Sequence, residues 1–220
     1  MTLGVRLTRW FLANALLAAL AFLFAGNANL PMLRVYQVVF GVMGLISLFA
    51  INPDLAQERS EPRAEGIDPA VRPVASVLFL ATISVAALDI GRLHWACPLS
   101  KWAQIAAFVV LIAANVLQIW AMAANPFFST ALRLQTDRGH HLVSHGPYRF
   151  VRHPGYLAML FIVPLTALAL GATLALIPAS IYGAIILFRA ACEDRFLIYN
   201  LTGYAHYAEK VRYRLIPGVW

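Results

Sequence analysis

The sequence predicts an all-α membrane protein, a polytopic bundle of about six hydrophobic segments in which the last two form a helical hairpin. Of its 220 residues, 61% are hydrophobic and only 12% are charged, and the mean hydropathy is +0.71. A soluble domain of this size needs far less apolar side chain to build one core. The apolar residues are also gathered into runs of membrane-spanning length, which favours helices that cross a bilayer.

Four apolar runs, at roughly 10–25, 35–51, 73–90 and 102–124, come first. Each is close to the ~17–25 residues with which a helix crosses a hydrocarbon core about 30 Å thick. We therefore treat residues 1–124 as an N-terminal transmembrane region. A basic start before an apolar run is also typical of a cleaved signal peptide, and small residues near Ala25 keep that alternative open. Arg6, Arg9 and Trp10 favour a retained first span.

The run after Arg152 is too long for a single span. No Asp, Glu, Lys or Arg occurs in the 36 residues between Arg152 and Arg189, and one continuous helix of that length would measure about 54 Å. The chain must therefore fold back inside this run. Gly171, between Pro164 and Pro178, is the predicted turn of the hairpin, which would return Arg189 to the membrane face where the run begins.

The basic residues predict the orientation. If both termini are cytoplasmic, 14 of the 17 Lys and Arg residues face the cytoplasm, as the positive-inside rule requires. The net charge of +7 suits anionic headgroups, so we expect membrane lipids as partners and no nucleic acid. The inside set is Arg6, Arg9, Arg59, Arg63, Arg72, Arg133, Arg138, Arg149, Arg152, Arg189, Arg195, Lys210, Arg212 and Arg214.

The loop of residues 52–73 mixes five acids with three arginines and four prolines. This composition predicts a solvated connector without a site.

Polar chemistry is concentrated in residues 125–156. Pro126 should end the fourth span at Asn125, because proline disfavours helix in the residue before it. Gly139, Gly146-Pro147 and Pro154-Gly155 then indicate an irregular segment. Such segments carry function more often than the helices they join.

Four histidines in this segment, His140, His141, His145 and His153, suggest a metal site at first sight. The stretch HHLVSH lacks the Glu of an HExxH helix, and no Cys lies close by. We therefore predict no bound metal. The alternative to a functional site is that Arg, Tyr and His here only anchor helices at headgroup level.

Two motifs carry a resemblance to a known family. GHHLVSHGPYRFVRHPGY, followed by RAACEDRFLIYNLTGYAHYAEKVRYRLIPGVW, resembles the isoprenylcysteine carboxyl methyltransferase and phospholipid methyltransferase superfamily of membrane enzymes that use S-adenosyl-L-methionine. The resemblance runs from Asn125 to the C terminus. It implies that residues 125–220 form the methyltransferase region, with a cytoplasmic cofactor pocket, a helical hairpin and a C-terminal helix.

The resemblance also implies residue roles. Glu193 matches an acid that contacts the cofactor, and Arg189 matches a substrate-facing arginine, so both are candidate catalytic residues. Asp194 stands where the family has a second Glu, which leaves the role of this acid open. The cofactor-binding residues carried over are His140, His141, Leu142, Val143, Tyr148, His153, Pro154, Gly155, Tyr156 and Glu193.

These residue types suit the cofactor. S-adenosyl-L-methionine carries a sulfonium, an ammonium, a carboxylate and an adenine, so its site needs an acid, a cation and aromatic faces. Glu193, either Arg149 or Arg152, and the rings of Tyr148 and Tyr156 would supply them. A sulfonium methyl is already activated and requires no metal, so the protein mainly aligns the reactants and excludes water.

The resemblance implies methyl transfer to a lipophilic or lipid-modified acceptor, first of all a prenylcysteine-type carboxylate. Phospholipid amines and small thiols are the alternative acceptors in the superfamily. A transporter or binding subunit is the alternative without catalysis, and an ordinary ion pair is the alternative for Arg189 and Glu193, which are four residues apart. The sequence does not determine the oligomeric state.

Overall fold

The computed structural model describes residues 2–61, 66, 68–97 and 99–220, so the predicted inside residue Arg63 lies outside the described residues. The described chain is helical and contains no strand. Short helical turns lie at Asp89–Leu93, Thr136–Arg138, Gly146–Arg149 and Thr173–Ala175. The α-helices are α1 (Leu3–Ala25), α2 (Pro31–Ala50), α3 (Pro53–Ser60), α4 (Val71–Leu88), α5 (Lys101–Ala124), α6 (Pro154–Leu170), α7 (Leu176–Asn200) and α8 (Tyr204–Lys210).

Among the residues that the structure describes, five apolar helical stretches are long enough to cross a membrane: α1, α2, α4 with the turn that follows it, α5, and α7 with the turn that precedes it. This confirms a multi-pass helical protein. The sixth predicted segment is the apolar helix α6, which has only 17 residues. At 1.5 Å per residue it measures about 26 Å, slightly less than a typical hydrocarbon core. A count of six full spans is therefore not confirmed.

Alanine dominates the main core between these helices. Ala86, Ala107, Ala167 and Ala169 are at most 6% exposed and pack with larger side chains such as Leu111. Lipid tails are as apolar as leucine, so membrane helices gain stability mainly from close contact of their backbones, which small residues permit. The outward faces of α1 and α2 instead carry many exposed apolar side chains.

The hairpin turns where the sequence predicts it. Helix α6 ends at Leu170, and Gly171 follows with φ +84°. The N–H of Gly171 donates to Leu168 O, and the N–H of Ala172 donates to Ala167 O, both at 3.0 Å. This is a Schellman ending, which favours glycine because L-residues with a side chain rarely adopt a positive φ. Helix α7 then packs antiparallel against α6.

The C-terminal tail returns to the polar segment that precedes α6. The N–H of Arg152 donates to Tyr213 O and the N–H of His153 donates to Arg214 O, both at 2.9 Å. Helix α6 therefore begins beside the end of α7, α8 and the tail. One end of the bundle contains all these polar elements.

Candidate active site

A cavity of about 460 Å³ lies at this polar end. Most residues that the resemblance assigned to cofactor or substrate line it: His140, His141, Leu142, Val143, Tyr148, His153, Gly155, Tyr156, Arg189 and Glu193. Pro154 is instead buried at the first position of α6, where a proline is pre-organised for the helix. Of the two candidate cations, Arg152 lines the cavity, whereas Arg149 lies over the ring of Phe150.

The ring of Phe127 contacts the neighbouring histidines His140 and His141, which we call the histidine strip. The His140 ring stacks on it with centroids 4.5 Å apart, and the His141 ring meets its face edge-on at 4.8 Å. Below the strip, the buried amide of Gln135 donates to Phe127 O at 2.8 Å. The irregular segment thus has a small core of its own, which orients both histidines.

His140 is a neutral histidine. Its Nδ1 accepts the backbone N–H of Gln135 at 3.2 Å, a bond that requires an unprotonated nitrogen. Burial lowers the pKa of His140 to about 4, and the positive charges of His141, Arg138 and Arg133 act in the same direction. At neutral pH this ring therefore presents an uncharged aromatic surface.

Tyr148 closes the cavity below the strip. Its hydroxyl donates to Ala121 O and accepts from the side-chain amide of Asn125, which joins the loop to the end of α5. The hydroxyl of Tyr207 on α8 donates to Tyr148 O at 2.7 Å. Burial raises the pKa of Tyr148 far above its usual range, so the ring stays neutral.

Arg189, Tyr156 and Glu193 form one hydrogen-bonded chain. Arg189 Nε donates to the Tyr156 hydroxyl at 2.8 Å, and this hydroxyl donates to Glu193 Oε2 at 2.5 Å. The tyrosine lies between the two charged groups, so they interact through it and form no direct ion pair. Arg189 is 6% exposed and also donates to Thr130 O at 2.7 Å.

The start of α6 lies very close to the loop. A Cβ placed on Gly155 would lie 2.1 Å from the ring of Phe128. Only glycine permits this approach, which brings Tyr156 of α6 next to the loop that carries Thr130. The glycine at this position therefore has a packing reason in addition to the role that the resemblance implies.

Asp194, next to Glu193, is completely buried and is not among the residues that line the cavity. Its carboxylate accepts from Arg214 Nε at 2.8 Å and from the Tyr204 hydroxyl at 3.0 Å. The same carboxylate lies 3.2 Å from both Arg152 Nε and His153 Nε2. Asp194 thus joins α7 to the start of α6, to α8 and to the tail, a role that the sequence left open.

The prediction that residues 52–73 form a solvated connector was wrong for helix α3, while residues 62–65 and 67 of this range lie outside the described residues. Helix α3 buries Leu55, and its Glu58 is 1% exposed and accepts from Arg133 Nη2 at 2.9 Å. Further along, Asp68 lies 3.0 Å from Arg189 Nη1. Arg59 and Arg72 of this segment line the cavity, and Asp68 is a carboxylate partner of the candidate substrate arginine.

A local signal for α3 was present in the sequence. Asn52 caps the helix by accepting the N–H of Asp54 at 2.9 Å, and Pro53 occupies its first position. Asp54 and Glu58, four residues apart, contact the basic residues Arg138 and Arg133. The partners lie about 80 residues away, and no local pattern identifies such a pairing.

The cavity continues from its polar end into an apolar region between α4, α6 and α7. Its wall there contains Ala75, Phe79 and Leu80 of α4, Met159 of α6, and Tyr182 and Ile186 of α7. One continuous volume thus connects polar and apolar surfaces. Within the described residues, no group of three or more His, Cys, Asp and Glu side chains is placed to hold a metal ion.

Comparison with known proteins adds two findings. Residues 106–199 match the family model of the isoprenylcysteine carboxyl methyltransferase (ICMT) family. The uncharacterized protein YpbQ of Bacillus subtilis (strain 168) is 29% identical over 102 residues, which are 46% of this chain and 58% of that protein. The alignment thus spans a little over half of this relative. The first match confirms the family resemblance of the motifs over residues 106–199.

Proposed function

We propose that the protein is a membrane methyltransferase that transfers a methyl group from S-adenosyl-L-methionine to a lipophilic acceptor. The observation that carries the proposal is the continuous cavity, whose polar end is lined by the residues matched to the cofactor and whose apolar end lies between helices. The family match supports the same activity. The volume of about 460 Å³ is within the range of small-molecule sites, about 300–1,000 Å³.

The polar residues present fit the cofactor. Glu193 is the acid lining this cavity in the described part of the chain and suits the ammonium and sulfonium groups. Arg152 is a cation for the carboxylate, and Tyr148 with the neutral ring of His140 offers aromatic surface to the adenine. When bound, S-adenosyl-L-methionine supplies a methyl group on a positively charged sulfur, ready for direct transfer.

The protein's task in such a transfer is to position and dehydrate the reactants. The Tyr156 hydroxyl holds Glu193 and Arg189 at a set separation, so one acid and one cation are oriented before any ligand arrives. Preorganised groups of this kind contribute because they lose little freedom when the acceptor binds. Arg59 of α3 forms part of the cavity wall.

We propose a prenylcysteine-type carboxylate as the acceptor, methylated on oxygen. A carboxylate needs no base, because it attacks without losing a proton, and Arg189 can orient it after exchanging its contact with Asp68. A phospholipid amine needs a proton acceptor, and Glu193 and His141 are the lining groups that can serve. A thiol acceptor must first lose its proton, for which the same groups are the candidates.

We propose that the site faces the cytoplasm, together with both termini. This orientation rests on the distribution of the basic residues, since Arg34, Arg92 and Lys101 are the basic residues left for the opposite side. The lining residues belong to the end of the bundle that is rich in arginine.

The first test is calorimetric titration of the detergent-purified protein with S-adenosylhomocysteine. We expect saturable binding that Glu193→Gln weakens about tenfold or more, because a charge-assisted contact is lost. Glu209→Gln is the matched control, since Glu209 is a 76% exposed acid on α8, and it should bind as the wild type does. Absence of binding by folded wild-type protein would contradict the proposal and favour a transporter or a binding subunit.

The acceptor is tested with methyl-labelled S-adenosyl-L-methionine and three substrates: N-acetyl-farnesylcysteine, phosphatidylethanolamine and dodecanethiol. A carboxyl methyl ester releases labelled methanol in mild base, whereas a methylamine or a thioether keeps the label. Base-labile product from farnesylcysteine alone supports carboxyl methylation. Base-stable product from the amine or the thiol would contradict the proposed acceptor while keeping the methyltransferase.

A further inference from the structure

A second cavity lies at the same end of the bundle, between the start of α1, the end of α2 and α3. Its volume is about 310 Å³. The side chains that line it include Arg6, Arg9 and Arg59 together with Ser47, Ser60 and Trp10, and its described lining contains no Asp or Glu. A cavity with three guanidinium groups and no acid in its described wall suits an anion.

Arg6 has unused hydrogen-bonding capacity there. The side chain is 6% exposed and donates to the carbonyl oxygens of Leu48 and Ile51, where α2 ends. Its Nε is buried and has no hydrogen-bond partner among the described residues. A buried N–H without a partner is unfavourable, and an acceptor in the cavity would satisfy it.

Arg59 is a cation without an acid in the described structure. Its Nη1 donates to Phe128 O at 3.1 Å, and its guanidinium lies over the Phe128 ring at 5.2 Å. Burial lowers the pKa of Arg59 to about 10, and the positive charges of Arg72 and Arg189 oppose its charge further. An anion beside it would relieve both effects, because it restores a counter-charge that the described protein does not supply.

The remaining residues place this cavity at headgroup level. Arg9 is half-exposed and pairs with Glu61 at 2.8 Å, which puts a charged pair at the rim. The Trp10 indole donates to Gly41 O at 3.1 Å and packs on Gly44 of α2, as an interfacial aromatic does. Exposed apolar side chains such as Phe11 and Phe49 continue toward the lipid on the same two helices.

We infer that this cavity is a binding site for a phosphate-bearing anion, and that its occupant is the headgroup of an anionic membrane phospholipid. A phosphate offers several acceptor oxygens that match guanidinium donors. An acyl chain attached to it would lie along the apolar outer surfaces of α1 and α2. This inference does not depend on methyl transfer.

Arg59 also lines the first cavity, so the two sites share one side chain. A lipid phosphate beside Arg59 would neutralise a positive charge that also faces the acceptor region. Coupling between sites is reciprocal, so ligands of the first cavity should change the affinity of the second. Lipid composition would then tune the activity.

The test is native mass spectrometry of the purified protein with an equimolar mixture of phosphatidylglycerol and phosphatidylcholine of different mass. We expect the wild type to retain phosphatidylglycerol preferentially, and expect Arg59→Gln and Arg9→Gln each to lower that preference about three- to tenfold. Arg34→Gln is the control, because Arg34 lies at the opposite end of α2 and contacts Asn29.

Two further measurements complete the test. Thermal unfolding with inorganic phosphate or chloride at equal ionic strength distinguishes a free anion from a lipid. S-adenosylhomocysteine titration shows that Arg9→Gln and Arg34→Gln keep the first site. Equal loss of preference in Arg34→Gln, or folded wild type with neither a lipid preference nor stabilisation by phosphate, would overturn the proposed site. Saturable stabilisation by phosphate without any lipid preference would overturn the lipid assignment.

Discussion

Two neighbouring faces of α7, near its end, differ in how their charged side chains are paired. On the cavity side, Arg189 and Glu193 share the Tyr156 hydroxyl and face a volume that a ligand can enter. On the neighbouring face, Asp194 is fully buried and its carboxylate contacts four side chains of the protein. The difference shows that two adjacent acids serve separate purposes, since one is available to a ligand and the other holds the site together.

The largest effect should come from Asp194→Asn. The substitution removes the buried counter-charge of Arg152 and Arg214. Removing one partner of a buried ion pair costs about 3–5 kcal/mol. We expect a large fall in unfolding temperature and loss of S-adenosylhomocysteine binding. Circular dichroism melts in detergent measure the first effect and calorimetry the second.

Glu193→Gln is compared with Asp194→Asn, because it changes the acid that faces the cavity. It should weaken S-adenosylhomocysteine binding and keep the unfolding temperature close to the wild-type value, because the Gln side chain can still accept from Tyr156. Equal destabilisation by both variants would show that the two acids have the same structural role, and the comparison between the two faces of α7 would fail.

Tyr156→Phe should have an intermediate effect. It removes the hydroxyl that joins Arg189 Nε to Glu193, and a hydrogen bond to a charged group contributes about 1.5–3 kcal/mol. We expect a fold that persists and methyl transfer lowered about tenfold or more. Steady-state kinetics should place the loss mainly in kcat, because the variant keeps the cavity but loses the alignment. Tyr199→Phe, at an 82% exposed tyrosine on α7, should change nothing.

The smallest effect concerns pH and His140. Its pKa is about 4 in the fold and about 6.5 in an unfolded chain, so between these values the unfolded state binds more protons. Stability should therefore fall as pH decreases from about 6.5 toward 4. Unfolding temperatures of the wild type should decline more steeply over this range than those of His140→Gln. Parallel profiles would show that His140 does not contribute.

Much of the fold could be predicted because it follows from local properties. The apolar runs indicate the long helices, and Gly171 with its flanking prolines indicates the turn of the hairpin. The length of α6 was less predictable, since Pro154 and Gly171 limit it to 17 residues. Helix α3 was missed because its short amphipathic pattern is weak beside the proline and charge signals of a loop.

The sequence by itself determined that this is a helical membrane protein with a polar end, and its motifs indicated the family whose model residues 106–199 match. Only the tertiary structure decided that Tyr156 lies between Arg189 and Glu193, that Asp194 joins the tail to α6, and that Asp68 pairs with Arg189. The physical reason is the sequence separation over which each property acts. Helix formation and hydrophobicity are properties of neighbouring residues, whereas buried charges find partners wherever the packed helices bring them together.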